Sequence, residues 1–336
     1  MTYARRDIVN EGAVGDYHCV SRCVRRAFLC GKDEVTKKNF DHRRGWIRAR
    51  LAHLVELFSI EVIAYAVMSN HLHCLIRTRP DVAQSWTAEE VATRWRTLFP
   101  LTWNLKAKTG GKQGPTKEEV EAIAGNPARV ELYRARLSSI SWFNRCLNEN
   151  IARRANKEDD CTGRFWEGRF QCQRVYDVAG ILACSAYIDL NPIRAGIAKT
   201  LEGSDHTSIQ ARIHDKVKKV PVRCKKWSSI PLLSIPAVTN QQLTLDDYLK
   251  LVDETGRCHA GKKKSISPEV APILTRLNIE PEQWTEATKQ LRKTFKRVVG
   301  PEESIKKAAK RVKRSWFHGL RAARKLFDLG AGAAGS

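Results

Sequence analysis

The stretch MSNHLHCLI, Met68 to Ile76, places His71 and His73 one residue apart in an otherwise apolar run. Side chains of a β-strand alternate between faces, so both imidazoles point one way while Leu72 points the other. Two imidazoles on one side can bind a single divalent ion and leave positions open for oxygen ligands. They read equally as two hydrogen-bonded histidines on a half-buried sheet, and the pair alone does not separate these readings. A second set lies in AYIDLNP, where Tyr187 and Asn191, four residues apart, share a helix face at about 6 Å. A phenol oxygen can attack phosphorus, and a carboxamide oxygen can complete the shell of a hard metal. Taken alone, Tyr187 reads as a core aromatic and Asn191 as a helix end before Pro192.

These residues need a scaffold. GDYHCVSRCV, Gly15 to Val24, reads as a strand, and His42 to Phe58 carries Trp46, Ile47, Leu51, Leu54, Val55 and Phe58 at helical spacing. IEVIAYAVM and HLHCLIRT are β-rich runs joined at Ser69 and Asn70, the pattern of a hairpin. From Pro80 to about Asn126 the texture changes, with a predicted helix over TAEEVATRWRTLF and a polar, glycine-containing loop after it; this segment reads as an insertion. The spacing then predicts one long helix over Glu131 to Lys157. A strand follows over Gly163 to Val175, with Phe165, Glu167, Arg169 and Gln171 on one side, and then a helix from Asp177 to Pro192. Beyond Ile213 come a basic linker, short capped helices and a longer helix in PEQWTEATKQLRKTFKRVV. Between Lys289 and Lys325, fourteen Lys or Arg stand against two acids, Glu302 and Glu303.

A formal charge of +23 on 336 residues points to a polyanionic partner, nucleic acid first. Hydrophobic content of 42% excludes wholesale disorder. No apolar run reaches the roughly 18 residues that a membrane span needs. The start, MTYARRDIVNEG, lacks the apolar centre of a signal peptide, so the expectation is a cytoplasmic protein with no membrane partner. The ten cysteines are scattered without a C-x-x-C pair and read as free thiols. His18, Cys19 and Cys23 make only a weak zinc set, since no second closely spaced ligand pair accompanies them.

In order along the chain, HLH beside SN, then GRFWEGRF, YIDLNPIRAG and SDHTSIQAR, resemble the single-tyrosine HUH transposases, and among them the REP-associated tyrosine transposases. The resemblance spans about Gly15 to Arg212, less the insertion. It implies an α+β fold with a ferredoxin-like or RRM-like antiparallel sheet, helices on one face, a central histidine strand and the tyrosine helix packed against it. A helical insertion and a basic helical C-terminal region would be added to that core. Residues 1–212 would form the catalytic domain with the insertion at 80–126, residues 213–240 a basic linker, and residues 241–336 either a DNA-binding appendage or a charged helical cap. The resemblance further implies that His71, His73 and Asn191 bind Mg²⁺ or Mn²⁺ and that Tyr187 is the nucleophile. The substrate would be single-stranded or hairpin DNA, cut through a 5′-phosphotyrosine that leaves a 3′-hydroxyl for rejoining. A free phenol ionises only near about pH 10, so its deprotonation needs help, for which the metal's field is the candidate.

Expected DNA contacts are Arg164, Trp166 and Arg169, which mix guanidinium and aromatic groups as stacking and phosphate contact require. Arg22, Arg25 and Arg26 end the first strand, Asn70 precedes the histidines and Arg194 follows the tyrosine helix; all five join the expected set. The protein would act as a monomer or homodimer. Three other readings compete. A catalytically idle DNA-binding derivative needs none of His71, His73, Tyr187 and Asn191. A metal-free phosphoesterase would use two H-x-[ST] motifs, whereas the one histidine pair here reads H-L-H, and a relaxase or replication initiator shares the chemistry but not the YIDLNP stretch.

Overall fold

A computed structural model describes residues 5–24, 29–33, 37–101, 114–217 and 230–327. Strand β1 (Gly15–Arg22), helix α1 (His42–Leu57) and the hairpin strands β2 (Ile60–Val67) and β3 (His71–Thr78) follow in the predicted order. The insertion is helical, with α2 (Pro80–Ser85), α3 (Ala88–Leu98) and α4 (Lys117–Ala124). Thr87 and Thr116 open α3 and α4 with reciprocal hydrogen bonds to Glu90 and Glu119, which satisfy helix N–H groups that otherwise have no partner. Helices α5 (Pro127–Leu137) and α6 (Ile140–Glu158) lead to β4 (Gln171–Val175), α7 (Asp177–Asp189) and α8 (Asn191–Arg194). The remainder comprises α9 (Ser208–Val217), α10 (Ile235–Val238), α11 (Leu245–His259), α12 (Ala271–Thr275), α13 (Pro281–Thr294), β5 (Val298–Val299), α14 (Glu302–Arg311) and α15 (Leu320–Phe327).

The described residues build one five-stranded sheet in the order β2-β3-β1-β4-β5. The first four strands pair antiparallel, and β5 adds a parallel edge beside β4. The class is α+β, as expected, and the histidine strand is interior.

Helices cover both faces of this sheet, which corrects the expectation of one. The cause is legible in β2, IEVIAYAV, where every residue but Glu61 is buried. Strands apolar on both sides require cover on both sides. On one face Cys19, Val62, Tyr65 and Cys74 pack with Leu51, Leu54, Leu147 and Ile151 of α1 and α6. On the other, Ile63, Ala66 and Leu75 pack with Ala183 and Ile188 of α7 and with Trp284 and Phe295 from the C-terminal region. Within the described residues, no helix is long and apolar enough to cross a membrane.

Two predicted elements differ. The long helix over 131–157 is broken between α5 and α6, where Ser139 caps the second helix by accepting from the Ser141 N–H at 3.2 Å. The strand predicted from Gly163 shortens to residues 171–175, because Gly163 adopts φ +97° and only a single bridge, Cys23 to Trp166, ties the stretch before it to β1. Phe165 is buried there while Glu167 and Arg169 are exposed, so they do not share a face.

Candidate functional site

Register gathers the polar residues of three strands onto one face. Arg22 lies opposite His71 and Val20 opposite His73, while His18 is directly across from Gln173. Since alternate residues share a face, Arg22, His18, His71, His73, Gln171 and Gln173 all face the side covered by α7. The His71 and His73 rings lie 4.7 Å apart between centroids, and His18 stacks on His73 at 5.1 Å with only 20° between planes. Tyr187 of α7 meets this cluster edge-on, 5.7 Å from His73 and 5.8 Å from His18. The sequence-predicted phenol and imidazole pair therefore converge, and a third imidazole joins them.

His71 and His73 are each tied at one nitrogen and His18 at both. His73 Nδ1 is 2.8 Å from His18 Nε2, His18 Nδ1 is 3.0 Å from Gln173 Oε1, and His71 Nδ1 is 2.5 Å from Asn70 Oδ1. Gln173 in turn donates from Nε2 to the Phe295 carbonyl. Burial, helped by Arg292, pushes the His18 imidazole down to about 3, and burial with Arg22 pushes His71 down to about 4. Burial, with His71 and His18 beside it, holds His73 well below its ordinary value. All three rings are thus neutral at physiological pH, the state in which imidazole binds metals.

Guanidinium groups surround the phenol. Arg194 lies over the Tyr187 ring with its central carbon 4.0 Å from the centroid. It donates to the Lys289 carbonyl at 2.6 Å and to Asn191 Oδ1, while the buried Asn191 Nδ2 has no hydrogen-bond partner among the described residues. Arg292 of α13 donates to Gln171 and acts electrostatically on both Tyr187 and Arg22. Asp189, two residues past Tyr187, is fully buried and faces elsewhere, accepting from Ser208 Oγ, from the Ile209 N–H at 3.0 Å and from Tyr248 Oη at 2.6 Å.

The expected DNA contacts fall into separate places. Arg22 and Arg194 belong to the histidine and tyrosine cluster, and Asn70 turns its carboxamide onto His71. Arg164, Trp166 and Arg169 line a cleft of about 710 Å³ with Arg5, Trp142 and Phe170. Trp166 is anchored there by its indole N–H, which donates to the Asn148 carbonyl at 2.8 Å. Arg5, Arg169 and Phe170 also line a second cleft of about 560 Å³, which reaches Gln171, Gln173, Arg292, Lys296 and Trp316. The two clefts share Arg5, Arg169 and Phe170; the second touches Gln171, Gln173 and Arg292 beside the histidines, and Trp316 on its wall is 63% exposed. Arg25 and Arg26 lie outside the described residues. The zinc set does not assemble, because Cys19 packs on the opposite face from His18.

Gln173 and Arg292 carry no signal in the sequence, and His18 stands out there only in the weak zinc set. The period-two spacing of His18 from Val20 and Arg22 was available, but its neighbours across the sheet are set by pairing with β3 and β4.

No protein-family model matches the chain, and no curated protein matches it. A solved structure of a REP-associated tyrosine transposase bound to a REP hairpin is similar at a TM-score of 0.38 and 12% identity, over 64% of this chain and 87% of that one. A likeness this distant carries no weight for fold or activity.

Proposed function

We propose that this chain cleaves and rejoins single-stranded DNA through a covalent link to Tyr187, with hairpin-bearing strands as substrate. The observation that carries the reading is the Tyr187 ring set 5.7 Å from His73 and beneath Arg194. A core tyrosine needs neither neutral imidazoles nor guanidinium groups around it, whereas a nucleophile facing a phosphate uses both.

His71 and His73 fit a divalent cation, since both are neutral and each has its Nδ1 engaged, leaving Nε2 as the ligating nitrogen. Asn191 would join them through Oδ1, which now accepts from Arg194. Bound Mg²⁺ or Mn²⁺ would withdraw charge from the scissile phosphate. The phenol oxygen of Tyr187 attacks phosphorus as the bond from phosphorus to the 3′ oxygen breaks. The phenol proton passes to solvent and the leaving oxygen takes one up, giving a 5′-phosphotyrosine and a free 3′-hydroxyl. Attack by another 3′-hydroxyl reverses the step and joins ends without ATP. Arg194, Arg292 and Arg22 offset phosphate charge around the phenol, and the two clefts, which share Arg5, Arg169 and Phe170, supply cations and aromatic faces for the flanking strand. On this reading residues 241–336 belong to the strand path, in the protein as monomer or homodimer.

The test incubates the purified protein and Mn²⁺ with a labelled single strand carrying a hairpin. The expected product is a denaturant-resistant adduct on the new 5′ end, the fragment downstream of the cut, mapped to Tyr187 by peptide sequencing. Tyr187→Phe should bind the strand as before and form no adduct. An undiminished adduct in that variant places the nucleophile elsewhere, and binding with no adduct in the parent favours an idle DNA-binding protein.

A further inference from the structure

We propose that His18 and Gln173 are positioning residues that set the tautomer of His73, through a chain of hydrogen bonds ending on the Phe295 carbonyl. The direction of the chain follows from what each atom can do. A backbone carbonyl only accepts, so the Gln173 amide must turn its NH₂ toward Phe295 and its oxygen toward His18. That oxygen also only accepts, so the proton between Gln173 and His18 sits on His18 Nδ1. A neutral imidazole carries one N–H, so His18 Nε2 is an acceptor, and the proton in the 2.8 Å contact belongs to His73 Nδ1. His73 Nε2 is then left as a lone pair.

Asn70 does the same for its neighbour in one step, since its Oδ1 accepts from His71 Nδ1. Both imidazoles of the H-x-H pair are held in the same tautomer, with the ligating nitrogen unprotonated before any cation arrives. Asn70 is accordingly assigned to His71 rather than to DNA.

The device spans the fold. His18 comes from β1, Gln173 from the strand paired beside it, and Phe295 from the end of α13. Phe295 is held in place because β5 follows it and pairs with β4, where the Arg174 N–H donates to the Arg297 carbonyl at 2.8 Å. The C-terminal region thereby reaches a metal ligand through two side chains. The inference rests on the metal reading of His71 and His73, but its first half concerns the protein without metal.

The experiment uses full-length protein, metal-free, with ¹⁵N-labelled histidine, and reads the protonation of each ring nitrogen from long-range ¹H–¹⁵N spectra. His73 in the parent should carry its proton on Nδ1. Gln173→Met removes the acceptor for His18, and His18→Phe keeps the stacked ring but drops both nitrogens. Each should let His73 take up the Nε2–H form. In calorimetric titrations with MnCl₂ and no DNA, each should weaken binding about tenfold, as loss of an outer hydrogen-bond partner does at other metal sites. A parent His73 protonated on Nε2 overturns the relay, and so does an unchanged tautomer and Mn²⁺ affinity in both variants. A correct tautomer in a parent that binds no Mn²⁺ overturns the metal reading and leaves the relay with no ligand to serve.

Discussion

Asp189 offers the sharpest test of how the tyrosine helix is held. Its carboxylate takes Ser208 and Ile209 at the start of α9 on one oxygen and Tyr248 of α11 on the other, all buried. Truncation to alanine removes three acceptor contacts, but the loss is uneven. Ser208 Oγ keeps a second acceptor in the Tyr65 carbonyl at 3.2 Å, so two donors are stranded, the Ile209 N–H and the Tyr248 hydroxyl. A stranded buried donor costs about 1–3 kcal/mol, so Asp189→Ala should lose about 4 kcal/mol in all. Asp189→Asn keeps one oxygen for Ser208 and Ile209 and offers an NH₂ to a tyrosine hydroxyl able to accept it, so about 1–2 kcal/mol is expected. Tyr248→Phe removes one of the stranded donors, so adding it to Asp189→Ala should cost less than the sum of the singles by about 1–2 kcal/mol. Urea unfolding followed by tryptophan fluorescence and far-ultraviolet circular dichroism measures the parent and all four variants. Strict additivity, or an Asp189→Ala loss below about 1 kcal/mol, would refute the clamp.

Trp284 is fully buried and donates its indole N–H to Thr255 Oγ1 at 2.8 Å, so Trp284→Ala should lose about 3–5 kcal/mol. Because it sits on the helix that carries Arg292, adduct formation should fall with it even where the protein stays folded. Arg169→Ala, which alters both clefts, should weaken single-strand binding and lower the slope of log affinity against log salt by roughly 1, the mark of one lost phosphate contact. The Arg324 guanidinium and then Lys306 hold the Glu302 carboxyl down to about 2. A depressed carboxylate stabilises the fold above its ordinary ionisation range and ceases to as pH falls through the folded value. Unfolding measured from pH 7 down to pH 2.5 should therefore show a loss in the parent that Glu302→Gln lacks, about 1 kcal/mol given that both cations reach solvent.

Much of the frame is legible in the sequence because its signals are local. The β2-β3 hairpin, α1 and the tyrosine helix show in periodicity and in Ser69-Asn70, and alternation alone puts His71 and His73 on one face. What escapes reading is set by pairing between distant segments. His18 stands beside Cys19 and Cys23 in the chain, which invites zinc, yet pairing with β3 and β4 turns it toward His73 and Gln173. Arg292 is one of fourteen cations between Lys289 and Lys325, and nothing local marks it as the one that reaches Tyr187. GRFWEGRF alternates well enough to pass for a strand, but it meets β1 only through the Cys23 to Trp166 bridge, and the Trp166 indole bond to the Asn148 carbonyl anchors it from the helix side. The break at Ser138 and Ser139 lacks Gly or Pro, and only the capping preference of serine announces it.

The histidine face is costly as pure architecture. Strands covered on both sides favour unbroken apolar runs, and a polar group buried there is unfavourable unless it is hydrogen-bonded. This chain sets three imidazoles and two carboxamides among the central strands and provides His18, Gln173, Asn70, Arg292 and the Phe295 carbonyl as their partners. If the set adds nothing to stability beyond offsetting its own burial, replacing it by apolar residues of similar volume should leave the fold as stable or more so, since removing both members of a buried polar pair is nearly neutral. The quadruple change His18→Leu, His71→Val, His73→Leu, Gln173→Leu tests this directly. Retained or raised unfolding free energy with complete loss of Mn²⁺ binding would show that the cluster is kept for chemistry at Tyr187. A large loss of stability would return the histidines to the role of a satisfied core and remove the strongest support for the nucleophile.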